Sequence, residues 1–449
     1  MYTQESKNHQ YSFTHDWFVV PKLDDNHELV KISKAIDWPA LSDKLAKFYC
    51  PDNGRPAKPS RAKVGLLILK HLYRLSDDDL VDLIKRDLYA QYLCDVSFGE
   101  AIKFIHSTTL VKFRKKIGLS GIKLIEEEVL NSLKRTKLLK GRKLVCDTTV
   151  VPSNISYPTD ISLLEKVRAK AVKYLEKAKQ FGADTFRTYK RTARKTFITY
   201  QKIRHHTIQS RRRTQKKILQ FSKRNTAQLK NALEKISQKT DTSLNGIKEE
   251  VKEQFLKEAK RFLATASNIV EQQKNIYKRL PVKERIVSVH QPHLRPMVRG
   301  KYPVEVEFGP KILLNLKNNF LFLEYLSFNN TSDSQLLDIS LKGYQERFGN
   351  TPTQLAADRG FWSKDNYRLA ENLKIKKIAI ENKGKSSYLK GKPFRERLRR
   401  LRCSIEAKIS LSKRKYGLDR IRYTMPQGEE MWVRLGLMAM NLKTSVGYG

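Results

Sequence analysis

Three acidic side chains stand out for where they fall in the apolar pattern. Asp147 lies inside the run LVCDTTVV, Asp358 ends the short run QLAAD, and Glu406 sits in the basic stretch RERLRRLRCSIEAKISLSKRKYG, residues 395–417. Read as a helix at ~100° per residue, that stretch brings Arg402, Glu406 and Lys413 within roughly 40° of one another, beside a stripe of Leu398, Leu401, Ile405 and Ile409. A glutamate in a basic helix is, taken alone, an ordinary i, i+4 ion pair. Two further acids on strands, each set among apolar residues, change that: their mutual repulsion and desolvation call for a cation, and point to a divalent metal site. Two such ions about 3.5–4 Å apart can activate water or a 3′-hydroxyl and stabilise the leaving oxygen of an in-line phosphoryl displacement. Oxygen ligands favour Mg²⁺, two ions, with Mn²⁺ able to substitute. Arg402 can hold a phosphate in bidentate fashion, and Lys413 acts as a point charge.

The elements that must position these residues follow from the hydrophobic periods. Residues 142–151, RKLVCDTTVV, read as a central strand carrying Asp147. Asp160, or the Ser162 to Glu165 pair, can cap a helix after it, and from there to Leu280 the period is helical, through Leu164, Val167, Ala171 and Leu175, and again through Phe255, Ala259, Phe262 and Ala266. Between those helices, residues 181–230 hold fifteen Lys or Arg and one acid, Asp184, with Arg211, Arg212, Arg213, Lys216 and Lys217 at the peak. Such one-sided charge repels itself unless phosphates supply the countercharge, which favours a DNA-backbone surface over a solvated face. Beyond Pro281 the pattern alternates: RIVSVH as a short extended run, VEVEFGPKILLNL and FLFLEYLSF as a hairpin turning near Lys317 to Asn319, a helix ended by Gly349, the strand of Asp358, a helix capped by Ser363, the strand IKKIAIE, and the helix of Glu406 ended by Gly417. Ignoring the helical interruption, this is the connectivity of the ribonuclease H-like fold, in which the two acid-bearing strands must be sheet neighbours.

Residues 1 to about 140 read as helical. VGLLILKHLYRL is strongly apolar, Ser76 with Asp79 forms a capping-box start, and Thr108 or Thr109 can cap LVKFRKKIG. Its Arg114, Lys115 and Lys116 belong to a short basic helix that can enter a major groove or simply present a solvated face. A net charge of +43 on 449 residues implies a polyanionic partner, nucleic acid before a membrane surface, since no apolar run approaches the ~18 residues of a membrane helix. Cys50, Cys94, Cys146 and Cys403 show neither CxxC nor CxxH spacing and read as reduced thiols, and MYTQESKNHQ lacks the apolar core of a secretory signal. The expected location is cytoplasmic, with the nucleoid.

The chain resembles bacterial insertion-sequence transposases of the DDE class with an InsH-type N-terminal domain. The resemblance rests on AIDW, GRPAKP, LYRLSDDDL and TTLVKFRKKIG in the first part, and on CDTTVVPSNISYPTD, VHQPHLRPMVRGKYPVEVEFGPK, ADRGFW and RCSIEAKISLSKRKYGLDR in the rest. Arg402, Glu406 and Lys413 fit the R, E and K of the family's YREK signature, while Arg399 stands where its tyrosine would be. Asp147, Asp358 and Glu406 match the family's three metal ligands. The resemblance implies strand cleavage at element ends and transfer into target DNA, with terminal inverted repeats and target DNA as partners and a dimer on DNA.

The expected organisation is an all-α DNA-binding domain at 1–140, a ribonuclease H-like α/β catalytic domain at 141–158 and 283–449, and a basic all-α insertion at 159–282, after the first strand. The insertion belongs there because only 47 residues separate Asp358 from Glu406, against 210 between Asp147 and Asp358. His290, His293 and Arg295 are secondary candidates in a polar loop. The competing functions are a transposon-derived DNA-binding protein without catalysis and a structure-selective nuclease of the same fold.

Overall fold

A computed structural model of the chain describes residues 23–50, 52, 57–97, 101, 105–238, 246–298, 306–380 and 392–447, with the backbone alone at 246–248 and 392–399. The polar leader, part of GRPAKP, and the basic stretch before Lys392 lie outside the described residues.

The first part is helical: α1 (Glu28–Ala35), α2 (Trp38–Ala46), α3 (Ser60–Leu72), α4 (Asp77–Arg86), α5 (Leu88–Cys94) and α6 (Ser107–Arg135). Ser76 caps α4 in a reciprocal capping box with Asp79, as its S-x-x-D spacing requires. At α6 the cap is His106, whose side chain accepts from the Thr108 N–H, so Thr108 and Thr109 are already inside the helix. Gly118 breaks α6 with φ 56°, a left-handed conformation that glycine adopts without Cβ strain.

Strand β1 (Lys143–Val150) follows, and the chain then forms a second compact unit, Ile155–Gly309, before returning. That unit holds α7 (Asp160–Ala178), α8 (Lys190–Gln201), α9 (Ile208–Gln238), α10 (Gly246–Tyr277) and a ribbon of β2 (Pro296–Val298) and β3 (Val306–Phe308). Thr159, paired with Ser162, caps α7. The helices share a core of Val167, Ala171, Leu175, Leu229, Leu233, Ala259, Phe262 and Ile269. RIVSVH forms no strand: Ile286 and Val289 pack into this helical core, and the Ile286 N–H bonds the Gln272 side chain at 2.9 Å.

The remaining elements are β4 (Lys311–Lys317), β5 (Phe320–Ser327), α11 (Leu337–Phe348), β6 (Gln354–Ala357), α12 (Lys364–Asn372), β7 (Lys377–Ile380), α13 (Lys392–Lys415) and α14 (Gly428–Val446). VEVEFGPKILLNL divides at Gly309 and Pro310, its halves β3 and β4 falling in different units. The β4–β5 hairpin turns at Asn318 and Asn319, both at positive φ (48° and 68°), the pair of left-handed residues a tight hairpin demands. Gly349 ends α11 in the left-handed conformation, Ser363 caps α12, and Gly417 takes φ 79° just past α13.

The five strands order as β5-β4-β1-β6-β7, with β4 antiparallel to β1 and to β5, and with β6 parallel to β1 and to β7. This is the strand connectivity expected of a ribonuclease H-like sheet. One face carries Leu144, Cys146, Leu355 and Ala357 against Leu337, Leu341, Tyr344 and Phe361. The other carries Val145, Leu314 and Ala356 in a core that also contains Ile405 and Ile409 of α13, Leu437 and Met440 of α14, and Leu66, Ile84 and Ile122 of the first helices. By contacts, the first helices share one core and one unit with the sheet, Met1–Asn154 with Pro310–Gly449. Helix α14 completes that unit, and Asn441 accepts from the Leu321 N–H at 3.0 Å and donates to its carbonyl at 2.8 Å, closing part of the β5 edge.

Candidate active site

The alternation of side chains along β1 puts Asp147 on the face of Val145, the face covered by α13. Along β6 it does the same for Asp358 through Ala356, because the backbone at Asp358 is still extended (φ −68°, ψ 159°). The parallel register ends at Cys146 opposite Ala357, so the two acids occupy the next positions on adjacent strands, about 4.8 Å apart in strand spacing. Each acid is oriented the same way: Oδ1 accepts the following N–H, from Thr148 for Asp147 and from Arg359 for Asp358, both at 2.7 Å.

Helix α13 brings the third acid. Glu406 follows the buried Ile405 and is itself exposed. One turn earlier, Arg402 places its guanidinium 2.7 Å from Asp358 Oδ1 and 3.8 Å from Glu406 Oε1, joining a strand acid to a helix acid. Lys413 donates to the Val150 carbonyl at 2.8 Å and so fixes the far end of α13 to the end of β1. Burial pushes the Asp147 carboxyl up to about 6, and the charges of Asp358, Asp333 and Glu406 add to that, against the opposing Thr148 hydrogen bond. Asp147 thus sits in the negative field of the other two acids, where a divalent cation bound by oxygen ligands is the natural complement. Among the described residues no three such side chains already stand as a closed metal cluster, and Arg402 supplies the positive charge between Asp358 and Glu406.

The chain matches two family models. A model described as Transposase domain (DUF772) matches residues 19–116, and one described as Transposase DDE domain matches residues 311–442. An uncharacterised protein of Rhizobium meliloti, ORF8 in the nfe locus, is 31% identical over 176 residues, which span 38% of this chain and 81% of the relative. This chain belongs to the insertion-sequence DDE transposases. No solved structure matches it. A transposase DDE domain implies the ribonuclease H-like fold and a dependence on divalent metal, in keeping with the observed sheet order. In this transposase the matched DDE segment includes Asp358, Arg402, Glu406 and Lys413, and Asp147 precedes it.

The basic residues separate into two kinds. Arg114, read in the sequence as a groove-facing cation, is buried: it makes a two-pronged pair with Asp77, at 3.0 and 2.5 Å, and lies over the Tyr423 ring. It holds α6 to α4, and the expectation that it meets DNA is corrected. Lys115 and Lys116 on the same turn are exposed, Lys116 lying 4.1 Å from the Tyr49 ring centre. On α9, Arg211, Arg213, Lys216 and Lys217 are exposed, whereas Arg212 is half-buried over Tyr277. The Arg399 side chain lies outside the described residues. His290, His293 and Arg295 fall in the helical unit, outside the one that carries the three acids; Arg295 lies 3.7 Å from Glu284. The described helices include none long and apolar enough to cross a membrane.

One site residue escaped the sequence. Asp333 opens a short 3₁₀ turn before α11, accepts from the Thr148 hydroxyl at 2.9 Å, and pairs with Lys311 at 2.6 Å. In the polar run NNTSDSQ nothing distinguishes it from a loop acid.

Proposed function

We propose that this transposase cleaves DNA strands at the ends of its element and joins them to target DNA, with Asp147, Asp358 and Glu406 holding Mg²⁺ ions, Mn²⁺ substituting. The observation that carries this reading is the Arg402 bridge, which draws a strand acid and a helix acid together beside the strongly perturbed Asp147. When bound, the metal pair supplies a polarised nucleophile and charge stabilisation for the leaving oxygen. The chain's own residues do the rest. Asp147 and Asp358, each oriented by its neighbour's N–H, present oxygens from one face of the sheet, and Glu406 approaches from α13. Arg402, freed from the acids it bridges, grips a scissile phosphate, and Lys413 adds a second positive charge on the same face of α13. In one unit the exposed cations of α9 contact DNA phosphates, in the other Lys115 and Lys116 do so, and two copies synapse a pair of ends.

Incubating the purified protein with Mg²⁺ and a fragment bearing the cognate terminal repeat tests this. Joined products support it; cut products without joining indicate a nuclease; binding alone indicates a chain that no longer catalyses. Asp147→Asn, Asp358→Asn and Glu406→Gln should each abolish cleavage and spare DNA binding.

A further inference from the structure

Behind the acids, on the opposite face of the sheet, a set of contacts has no role in the chemistry described so far. Thr148 alternates with Asp147 and so points to the face of Leu144 and Cys146. There its hydroxyl donates to Asp333 Oδ1, which also accepts Lys311 from the first residue of β4. The other oxygen, Oδ2, faces Gly360, two residues beyond Asp358, so closely that a Cβ there would stand 2.6 Å from it. The turn of Asp333 and the turn after Asp358 are further clasped by Asn366, whose amide donates to both the Ser334 and Phe361 carbonyls at 2.7 Å. Lys311 also donates to the Thr331 carbonyl at 2.6 Å, which fixes the chain entering the turn.

We infer that Asp333 is a positioning residue for the metal-binding acids: from the far face it ties the residue after Asp147 to the turn after Asp358, and so sets the spacing of those two carboxylates. It is no ligand itself, because it meets β1 from the side away from α13 and Glu406. Lys311 keeps its charge balanced, which lets a further acid sit beside an already crowded anionic site. The absence of a side chain at Gly360 is the steric counterpart of this contact. An acid that reads in the sequence as an ordinary loop residue is therefore a distance setting for catalysis.

The inference rests on the metal-binding reading above, and the experiment separates the two. Mg²⁺ and Mn²⁺ are titrated into the full chain without DNA, following the rise in melting temperature and, for Mn²⁺, the loss of free-ion paramagnetic resonance signal. If the wild type binds neither ion, the metal reading itself fails. If it binds, Asp333→Ala should weaken binding by about tenfold or more, since outer-shell partners of metal ligands typically carry 10–100-fold in affinity. Asp333→Asn, which keeps an oxygen for Thr148 and Lys311, should retain most of it. Gly360→Ala should reproduce the Asp333→Ala defect, and the double variant should be no worse than either, the non-additivity expected of one shared contact. Wild-type affinity in Asp333→Ala would overturn the inference, as would Asp333→Asn losing binding as completely as Asp147→Asn, which would make Asp333 a ligand.

Discussion

Replacing Asp147 by Asn should make the metal-free protein more stable while it abolishes cleavage. The carboxyl is raised from 3.8 to about 6, chiefly by burial and then by the charges of Asp358, Asp333 and Glu406. Between those values the native state holds a proton that the unfolded chain has released, so the stability this group lends is complete below 3.8 and is lost as the pH rises through 6. At ~1.4 kcal/mol per pH unit, the penalty at neutral pH is about 3 kcal/mol. Asn removes the charge, and its oxygen can still accept the Thr148 N–H, so most of that amount should be regained. For a unit of this size about 3 kcal/mol corresponds to roughly 6 °C in melting temperature. The assay is thermal unfolding of both proteins in EDTA from pH 8 down to pH 5. Asp147→Asn should melt higher at pH 8, and the gap should hold to just above pH 6 and then narrow, to roughly half at pH 5, as the wild type takes up its proton. Saturating Mg²⁺ should reverse the order by stabilising only the wild type. A gap that does not change with pH, or an Asn variant that melts lower throughout, would refute the argument.

Arg114→Met should cost about 3 kcal/mol in urea unfolding, the low end for a broken buried ion pair because Lys70 still contacts Asp77 at 2.9 Å. It should leave the salt dependence of DNA binding unchanged, and a shallower slope at full stability would return Arg114 to the DNA surface. Changing Arg211, Arg213, Lys216 and Lys217 together to Gln should lower the slope of log affinity against log salt by roughly 3 to 4, near 0.9 per phosphate contact. Helix content by circular dichroism should not change, since these side chains are exposed, and an unaltered slope would mark α9 as a merely solvated face.

What could be read in the sequence was what depends on neighbours along the chain. The Ser76–Asp79 box, the Gly349 and Gly417 stops, the Ser363 cap and the central strand of Asp147 each follow from local stereochemistry. So does the convergence of Arg402, Glu406 and Lys413 on one helical face. Contacts distant along the chain were not legible. Arg114 looks like a groove-reading cation in LVKFRKKIG until Asp77, 37 residues away, is seen to neutralise it. RIVSVH has the composition of a strand, yet Ile286 and Val289 find a helical core to fill, and packing decided where propensity could not. Asp333 sits 185 residues from Thr148, a pairing that no local pattern encodes.

Helix α14 packs on α1, α3, α6 and β5, all of which leave the ribosome before it does. During synthesis the early helices therefore wait with apolar faces uncovered, and the β5 edge stands without Asn441 until the chain has grown past it. A chain that stopped short of Gly428 would leave those apolar faces bare and open to proteolysis.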